Sequence, residues 1–155
     1  MTTGQRRITR LRGKLDAEWT AFNESYSGLT DSQMVEPGVV GDWSVKDIIA
    51  HITIWENEAL KHLPMVANGS RPPRYSITYG GIDAFNAQMI ESARNLSLAD
   101  VRKQAAETHA HLVAYLGTVP EDLLASDSRF RRRLRLDTYS HYPIHTEQIR
   151  KWRAG

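Results

Sequence analysis

Apolar residues recur every three or four positions along most of this chain, a spacing typical of amphipathic helices with one buried stripe. The first stripe runs from Ile8 to Tyr26, and the second begins after Ser44, a good N-cap residue, and is expected to end at Pro64. A third apolar region covers residues 82–116, and its pattern does not decide between one kinked helix and two. The last helix lies near the C-terminus. The pattern therefore predicts an all-α fold.

The segments between the predicted helices contain fewer motifs that indicate a structure. Residues 30–33 form a capping box that predicts a short turn of helix, and residues 121–124 allow at most one helical turn. The segment 64–81 is a long connection, either a functional lid or a crossover at the end of a bundle. At 155 residues the chain suits one domain, over 1–155.

Two histidines in the last helical segment suggest a metal site. His141 and His145 are four residues apart, so a helix would place both on one face and let two imidazoles approach one point. Pro143 lies between them and is tolerated only in the first turn, which requires a helix that begins around residues 139–140. In the alternative interpretation, His141 is a cap residue outside the helix and His145 a core histidine.

The best candidate for a third ligand is His51, three residues after Ile48 and four before Trp55, within or at the edge of the buried stripe. A lone histidine there is otherwise a satisfied core residue. Glu58 follows on the same face two turns later, as a proton carrier or a group that orients a ligand. Its alternative role is a surface acid near the helix end.

The amino-acid composition excludes several kinds of site and partner. Cysteine is absent, which excludes disulfides, thiolate metal sites and cysteine nucleophiles. The net charge of +2 argues against nucleic-acid binding, and the basic run over 129–136 is interpreted as a solvated face. No apolar run reaches the length of a membrane span, and no signal peptide is evident at the N-terminus, so a soluble cytoplasmic protein is expected.

The order of several motifs resembles the DinB/YfiT-like superfamily, and within it the branch that contains ClbS and DfsB. The motifs are Trp43-Ser44-x-Lys46-Asp47-x-x-Ala50-His51-x-x-x-Trp55-Glu56, Phe85-Asn86, and His141-Tyr142-x-x-His145-x-x-Gln148-Ile149-Arg150-x-Trp152. The resemblance implies a four-helix bundle with a long crossover, in which His51, His141 and His145 coordinate a divalent metal. Pro143 departs from the usual residue between the last two histidines, which puts His141 most in question.

The resemblance also implies an enzyme that acts on a small molecule, with zinc or nickel as the metal and a low-molecular-weight thiol among its partners. A thiol-dependent S-transferase is the first expectation. The alternatives are a hydrolase or sequestering self-protection protein, and a non-catalytic binding bundle with packed histidines. We expect neither a nucleic-acid nor a membrane partner, and a homodimer is the default assembly because dimers are commonest.

Overall fold

The chain folds into nine helices, as the computed structural model of residues 1–155 shows. They are α1 (Thr3–Ser25), α2 (Asp31–Met34), α3 (Val45–Ala67), α4 (Tyr75–Thr78), α5 (Ile82–Ala93), α6 (Leu98–Leu116), α7 (Glu121–Ala125), α8 (Arg129–Asp137) and α9 (Tyr142–Ala154). An isolated bridge between Val40 and Trp43 is the only β-type pairing. The predicted all-α fold is confirmed. No helix combines the length and apolar character needed to cross a membrane.

Helix α3 is the centre of the bundle. It packs against α6, α8, α5 and α9, while α1 packs against α9 and α7, so that α1, α3, α6 and α9 form a four-helix bundle. Two clusters of buried apolar side chains fill it. One includes Phe22, Ile48 and Ile52, and the other includes Leu15, Leu63 and Leu112. Because α3 contributes side chains to both clusters, its position in the bundle is fixed. The position of His51 on α3 is fixed with it.

The start of α3 is set by a buried capping box. The Ser44 hydroxyl accepts a hydrogen bond from the Asp47 backbone N–H at 3.1 Å, and Oδ2 of Asp47 accepts one from the Ser44 N–H at 2.9 Å. Both residues are buried, unlike the equivalent capping boxes of α1 and α2, whose hydrogen bonds are exposed. This arrangement satisfies two N–H groups that the first helical turn leaves without partners.

The predicted end of α3 at Pro64 is wrong. The helix continues through Pro64 to Ala67, and the backbone carbonyl of Pro64 accepts from the Asn68 N–H at 3.3 Å. Pro64 is exposed and stands in the last turn, so the hydrogen bond it cannot donate is lost at the frayed end of the helix, where the loss costs least. The connection that follows is not a plain loop, since it contains α4, which packs against α5.

Two uncertain boundaries are resolved. The third apolar region is two helices, because α5 ends at Ala93 and Ser97 caps α6 by accepting from the Asp100 N–H. The last helix begins at Tyr142 and not around residues 139–140, so the predicted start is wrong. A turn at Thr138 (φ −130°, ψ −97°) ends α8, and its carbonyl accepts from the N–H groups of both His141 and Tyr142. Pro143 lies in the first turn of α9, where its missing N–H needs no partner.

Candidate metal centre

The structure brings His51, His141 and His145 together. Nε2 of His141 lies 3.0 Å from Nε2 of His51 and 3.0 Å from Nε2 of His145. One potential ligand atom from each residue lies within 4.8 Å of the other two. His51 comes from α3, His145 from the first turns of α9, and His141 from the cap position just before α9. His141 therefore reaches the cluster from outside the helix, as the alternative interpretation had placed it.

Protein hydrogen bonds alone cannot satisfy this cluster. The Nδ1–H of His145 donates to Oε1 of Gln148 at 2.7 Å. Nε2 of His145 is therefore unprotonated and can act only as an acceptor or a metal ligand. Nε2 of a neutral His141 ring is either a donor or an acceptor, so only one of its two 3.0 Å contacts can be a normal hydrogen bond. Nδ1 of His141 is buried and forms no well-aligned hydrogen bond, and the Asp137 backbone is only a weak partner of the ring.

A divalent cation fits these donors better than a proton does. Zinc held at about 2.0–2.1 Å by tetrahedral imidazole ligands would set neighbouring nitrogens about 3.3 Å apart, a few tenths of an ångström beyond the observed contacts. All three Nε2 lone pairs could then point at one ion. The cluster could therefore hold a metal ion.

The three imidazoles are held neutral. Burial lowers the pKa of His51 to about 2, with further lowering from His141 and His145. Burial and the neighbouring His145 lower the pKa of His141 to about 3, although the Asp137 backbone counteracts part of the shift. Burial also lowers the pKa of His145, against the hydrogen bond with Gln148. A metal binds only the unprotonated ring, so the site is in its binding state at neutral pH.

One side of the cluster faces a cavity of 380 Å³. Its lining residues are His51, Trp55, Tyr75, Ile82, Asn86, Arg133, Leu136, Asp137 and His141. The indole N–H of Trp55 donates to Oδ1 of Asn86 at 2.8 Å, which joins α3 to α5 across the cavity wall. Three potential ligands with an open side toward a cavity are typical of catalytic rather than structural metal sites.

Glu58 does not join the histidine cluster, nor does it line the cavity. Its Oε1 accepts a hydrogen bond from the hydroxyl of Tyr75 at 3.0 Å, and that hydroxyl also accepts from Nη2 of Arg133 at 2.9 Å. The Nε–H of Arg133 donates to Oδ2 of Asp137 at 2.6 Å. Glu58 is thus separated from the cavity by Tyr75, and its role as a proton carrier stays a prediction.

A second polar network lies between α3, α6 and α9. Oε2 of the fully buried Glu56 accepts from Nδ1–H of His109 at 2.7 Å and from the hydroxyl of Tyr142 at 3.1 Å. The His109 ring stacks on Trp19, with centroids 3.8 Å apart. Burial raises the pKa of Glu56, and the hydrogen bond with His109 opposes that change. The network fixes Tyr142, the residue that follows His141.

The interpretation of the run 129–136 as a solvated face missed Arg133 as a cavity residue, and Asp137, directly after that run, was not singled out. A signal was present. Phe130, Leu134 and Asp137 are spaced four and three apart and are all buried, which places Arg133 on the same inward face of α8. Tyr75 had no comparable signal, since α4 is too short to show an apolar period.

Solved structures of the same fold cover nearly the whole chain. The colibactin self-resistance protein ClbS, in complex with a dsDNA, matches with a TM-score of 0.80 and 15% identity over 96% of each chain. The sibling lethal factor precursor DfsB matches at 0.77 and 16%, over 99% of this chain and 96% of its own. An uncharacterised protein from Escherichia coli UTI89 matches at 0.79 and 14%, over 95% and 92%.

The exclusion of nucleic acid from the net charge was wrong. A protein with this fold has been crystallised with double-stranded DNA, so the fold is compatible with such a partner. Net charge sums the whole surface, whereas phosphate contacts depend on local groups of Lys and Arg. A value of +2 therefore does not decide the question.

Sequence comparison identifies the superfamily of the chain. A search of curated protein sequences found no significant match. The family profile described as the DinB superfamily matches residues 14–148, which is most of the chain and includes all three histidines of the cluster. The resemblance inferred from the motifs is confirmed, and the chain belongs to the DinB superfamily.

Proposed function

We propose that this protein is a metal-dependent enzyme that acts on a small molecule in the cavity beside the histidine cluster. The observation that carries the proposal is the convergence of three neutral imidazoles, His51, His141 and His145, on one point that opens toward a 380 Å³ cavity. The volume lies at the lower end of the range for small-molecule sites. Without a metal the buried cluster would be costly, because only one of the two 3.0 Å contacts of His141 Nε2 can be a hydrogen bond.

A bound divalent ion, zinc or nickel, would act as a Lewis acid that lowers the pKa of a bound water or thiol. The protein's own residues would do the rest. Gln148 holds the His145 ring in the tautomer that presents Nε2, and Trp55 and Asn86 hold the cavity wall in place. Thiol-dependent S-transfer is the reaction we favour, because three neutral ligands leave the charge of the ion available to stabilise a thiolate.

Glu58 is the proposed proton carrier. It would exchange protons with the cavity through the Tyr75 hydroxyl, to which it is hydrogen-bonded at 3.0 Å. Burial raises the pKa of Tyr75, and Arg133 opposes the shift, so the hydroxyl stays protonated and can relay a proton without ionising. Replacement of either Glu58 by Gln or Tyr75 by Phe should then slow the same step.

A second candidate is self-protection by binding or hydrolysis of a reactive small molecule in the same cavity. Its support is the apolar character of much of the wall, where Trp55, Ile82 and Leu136 could hold an apolar ligand without a metal. It predicts that ligand binding survives treatment with a chelator.

Metal analysis of the purified, untagged protein tests the proposal. We expect one zinc or nickel ion per chain and a loss of affinity of at least about a hundredfold in His51→Ala. His111→Ala is the matched control, because His111 is exposed on α6 and should leave affinity unchanged. A protein that binds neither ion, or a His51→Ala variant with wild-type affinity, would leave the histidines as packing groups only.

A further inference from the structure

Arg133 is placed inside the cavity rather than on a solvated face. Its side chain is 19% exposed, in contrast to Arg132 on the same helix, which is 50% exposed. The buried Phe130 and Leu134 turn α8 so that Arg133 faces the cavity that His51 and His141 also line. A guanidinium in this position is desolvated and needs acceptors for its N–H groups.

The protein supplies only some of those acceptors. Nε–H donates to Asp137 at 2.6 Å, and Nη2 donates to the Tyr75 hydroxyl at 2.9 Å. A guanidinium has five N–H donors, so three donors of Arg133 have no protein acceptor, two on Nη1 and one on Nη2. The two partners also fix the plane of the guanidinium, because they hold it from two sides. Arg133 therefore keeps oriented, unused N–H donors on Nη1 and Nη2 for a ligand that enters the cavity it lines.

The charges nearby limit what that ligand can be. Asp137 neutralises part of the charge of Arg133. Glu58 accepts a hydrogen bond from the Tyr75 hydroxyl, which is itself bonded to Arg133. These two acids would repel a doubly charged phosphate. A singly charged, planar carboxylate matches the geometry of the Arg donors with less repulsion. The rest of the wall, with Trp55, Ile82 and Leu136, suits an apolar body.

We infer that Arg133 anchors the carboxylate of the substrate, so that the cavity takes small molecules that combine a carboxylate with an apolar body. The inference deepens the proposed function, on which it rests for the position of the reacting centre. Arg133 is then a specificity-determining residue, because it selects the substrate without taking part in bond changes. The carboxylate lies at the Arg133 side of the cavity, and the remainder of the molecule extends toward His51 and His141.

Benzoate and benzamide form a suitable probe pair, since they differ little in shape but only benzoate carries a charge at neutral pH. Their binding can be measured by NMR titration of the ¹⁵N-labelled protein, in zinc-loaded and in chelator-treated form. The Nε–H resonance of Arg133 is a direct reporter. In both forms we expect benzoate to bind about tenfold or more tightly than benzamide, as a charge-assisted hydrogen bond implies.

Arg133→Gln should abolish this preference, and Arg135→Gln should retain it. Arg135 is the matched control, because it stands on the same helix, is exposed and makes no side-chain hydrogen bond. The glutamine variant removes the charge that pairs with Asp137 and could fail to fold. Arg133→Lys keeps that charge and serves as the second variant. Lysine keeps the charge but lacks the fork of donors, so the preference should shrink and not vanish.

The outcomes separate this inference from the proposed function. A preference that survives in Arg133→Gln overturns the inference, and if it then appears only with zinc, the metal and not Arg133 binds the carboxylate. A protein that binds no zinc but loses its preference in Arg133→Gln refutes the metal proposal and supports the anchor. Equal binding of both probes to the wild-type protein overturns the inference directly.

Discussion

The hydroxyl of Tyr142 donates to Oε2 of Glu56 at 3.1 Å, and this hydrogen bond ties the residue after His141 to the helix that carries His51. His141 itself has no comparable side-chain support, because its Nδ1 forms no well-aligned hydrogen bond and its backbone lies in a turn. The position of His141 therefore depends on its neighbour. The hydrogen bond between Tyr142 and Glu56 acts as a brace between α9 and α3 beside the histidine cluster.

Removal of this brace should affect stability and metal affinity together. Tyr142→Phe leaves the buried Glu56 with one donor fewer, and we expect the free energy of unfolding to fall by about 1–3 kcal/mol. Zinc affinity should fall as well, because His141 is less firmly placed. Urea denaturation and competition with a zinc indicator measure the two effects. Tyr26→Phe, which breaks a hydrogen bond to Asn23 on α1, should leave zinc affinity unchanged.

Gln148 should matter for metal affinity although it does not touch the metal. Its Oε1 accepts from Nδ1–H of His145 at 2.7 Å and so fixes the ring and its tautomer. Loss of a group that orients a ligand typically costs 10–100-fold in metal affinity, and we expect about that for Gln148→Ala. The neighbouring exposed Glu147 provides the control. Equal zinc affinities in Gln148→Ala and Glu147→Ala would show that His145 needs no such support.

The metal-free protein should become less stable as the pH falls below neutrality. The unfolded chain takes up a proton at each histidine near pH 6.5, whereas the folded pKa values of His51 and His141 are about 2 and about 3. The unfolded state thus binds more protons in this window, and each histidine should cost about 0.8 kcal/mol of stability between pH 7.5 and pH 6. Asp137 opposes this trend in part, because its pKa is raised to about 6 in the folded state and it takes up a proton there as the pH approaches 6.

Urea denaturation of chelator-treated protein at pH 7.5 and pH 6 measures the slope. His51→Gln should remove one histidine's share of the slope, and His111→Gln, at an exposed position outside the cluster, is the matched control. Stability that is the same or higher at pH 6 would mean that the cluster accepts protons in the folded state.

The capping boxes offer a test of how the start of α3 is held. Ser44→Ala should reduce stability by about 1–2 kcal/mol, at the upper end for an N-cap, because both hydrogen bonds of this box are buried. Thr30→Ala removes the same kind of cap on α2, where water can replace it, and should cost clearly less. The difference in urea midpoints between the two variants is the measurement, and equal losses would contradict the role given to burial.

Local patterns predicted most of the helices well. The apolar period located α1 and α3, and Ser44 marked the start of α3, because these features depend on residues close in sequence. The helix starts and ends were less accurate. The proline at position 64 predicts a helix end, yet a proline in an exposed last turn is tolerated. No residue pattern indicated the turn at Thr138, after which α9 begins only at Tyr142.

The cavity was not predictable in the same way. Its walls come from α3, α4, α5 and α8, and which residues of these elements meet depends on packing between them. Arg133 could have been placed from the spacing of Phe130 and Leu134, but Tyr75 and its contact with Glu58 could not.

The separation of the three histidines along the chain also determines when the site forms. His51 and His141 are 90 residues apart, so their rings meet only after α3 and the C-terminal segment have closed a long loop. To gather all its ligands earlier, a metal ion would have to offset the entropy cost of closing that loop, so we do not expect it to nucleate folding. It should act on the finished protein instead, adding about 2.7 kcal/mol when its free concentration is a hundred times its Kd. Metal loading would then slow unfolding and leave the folding rate nearly unchanged.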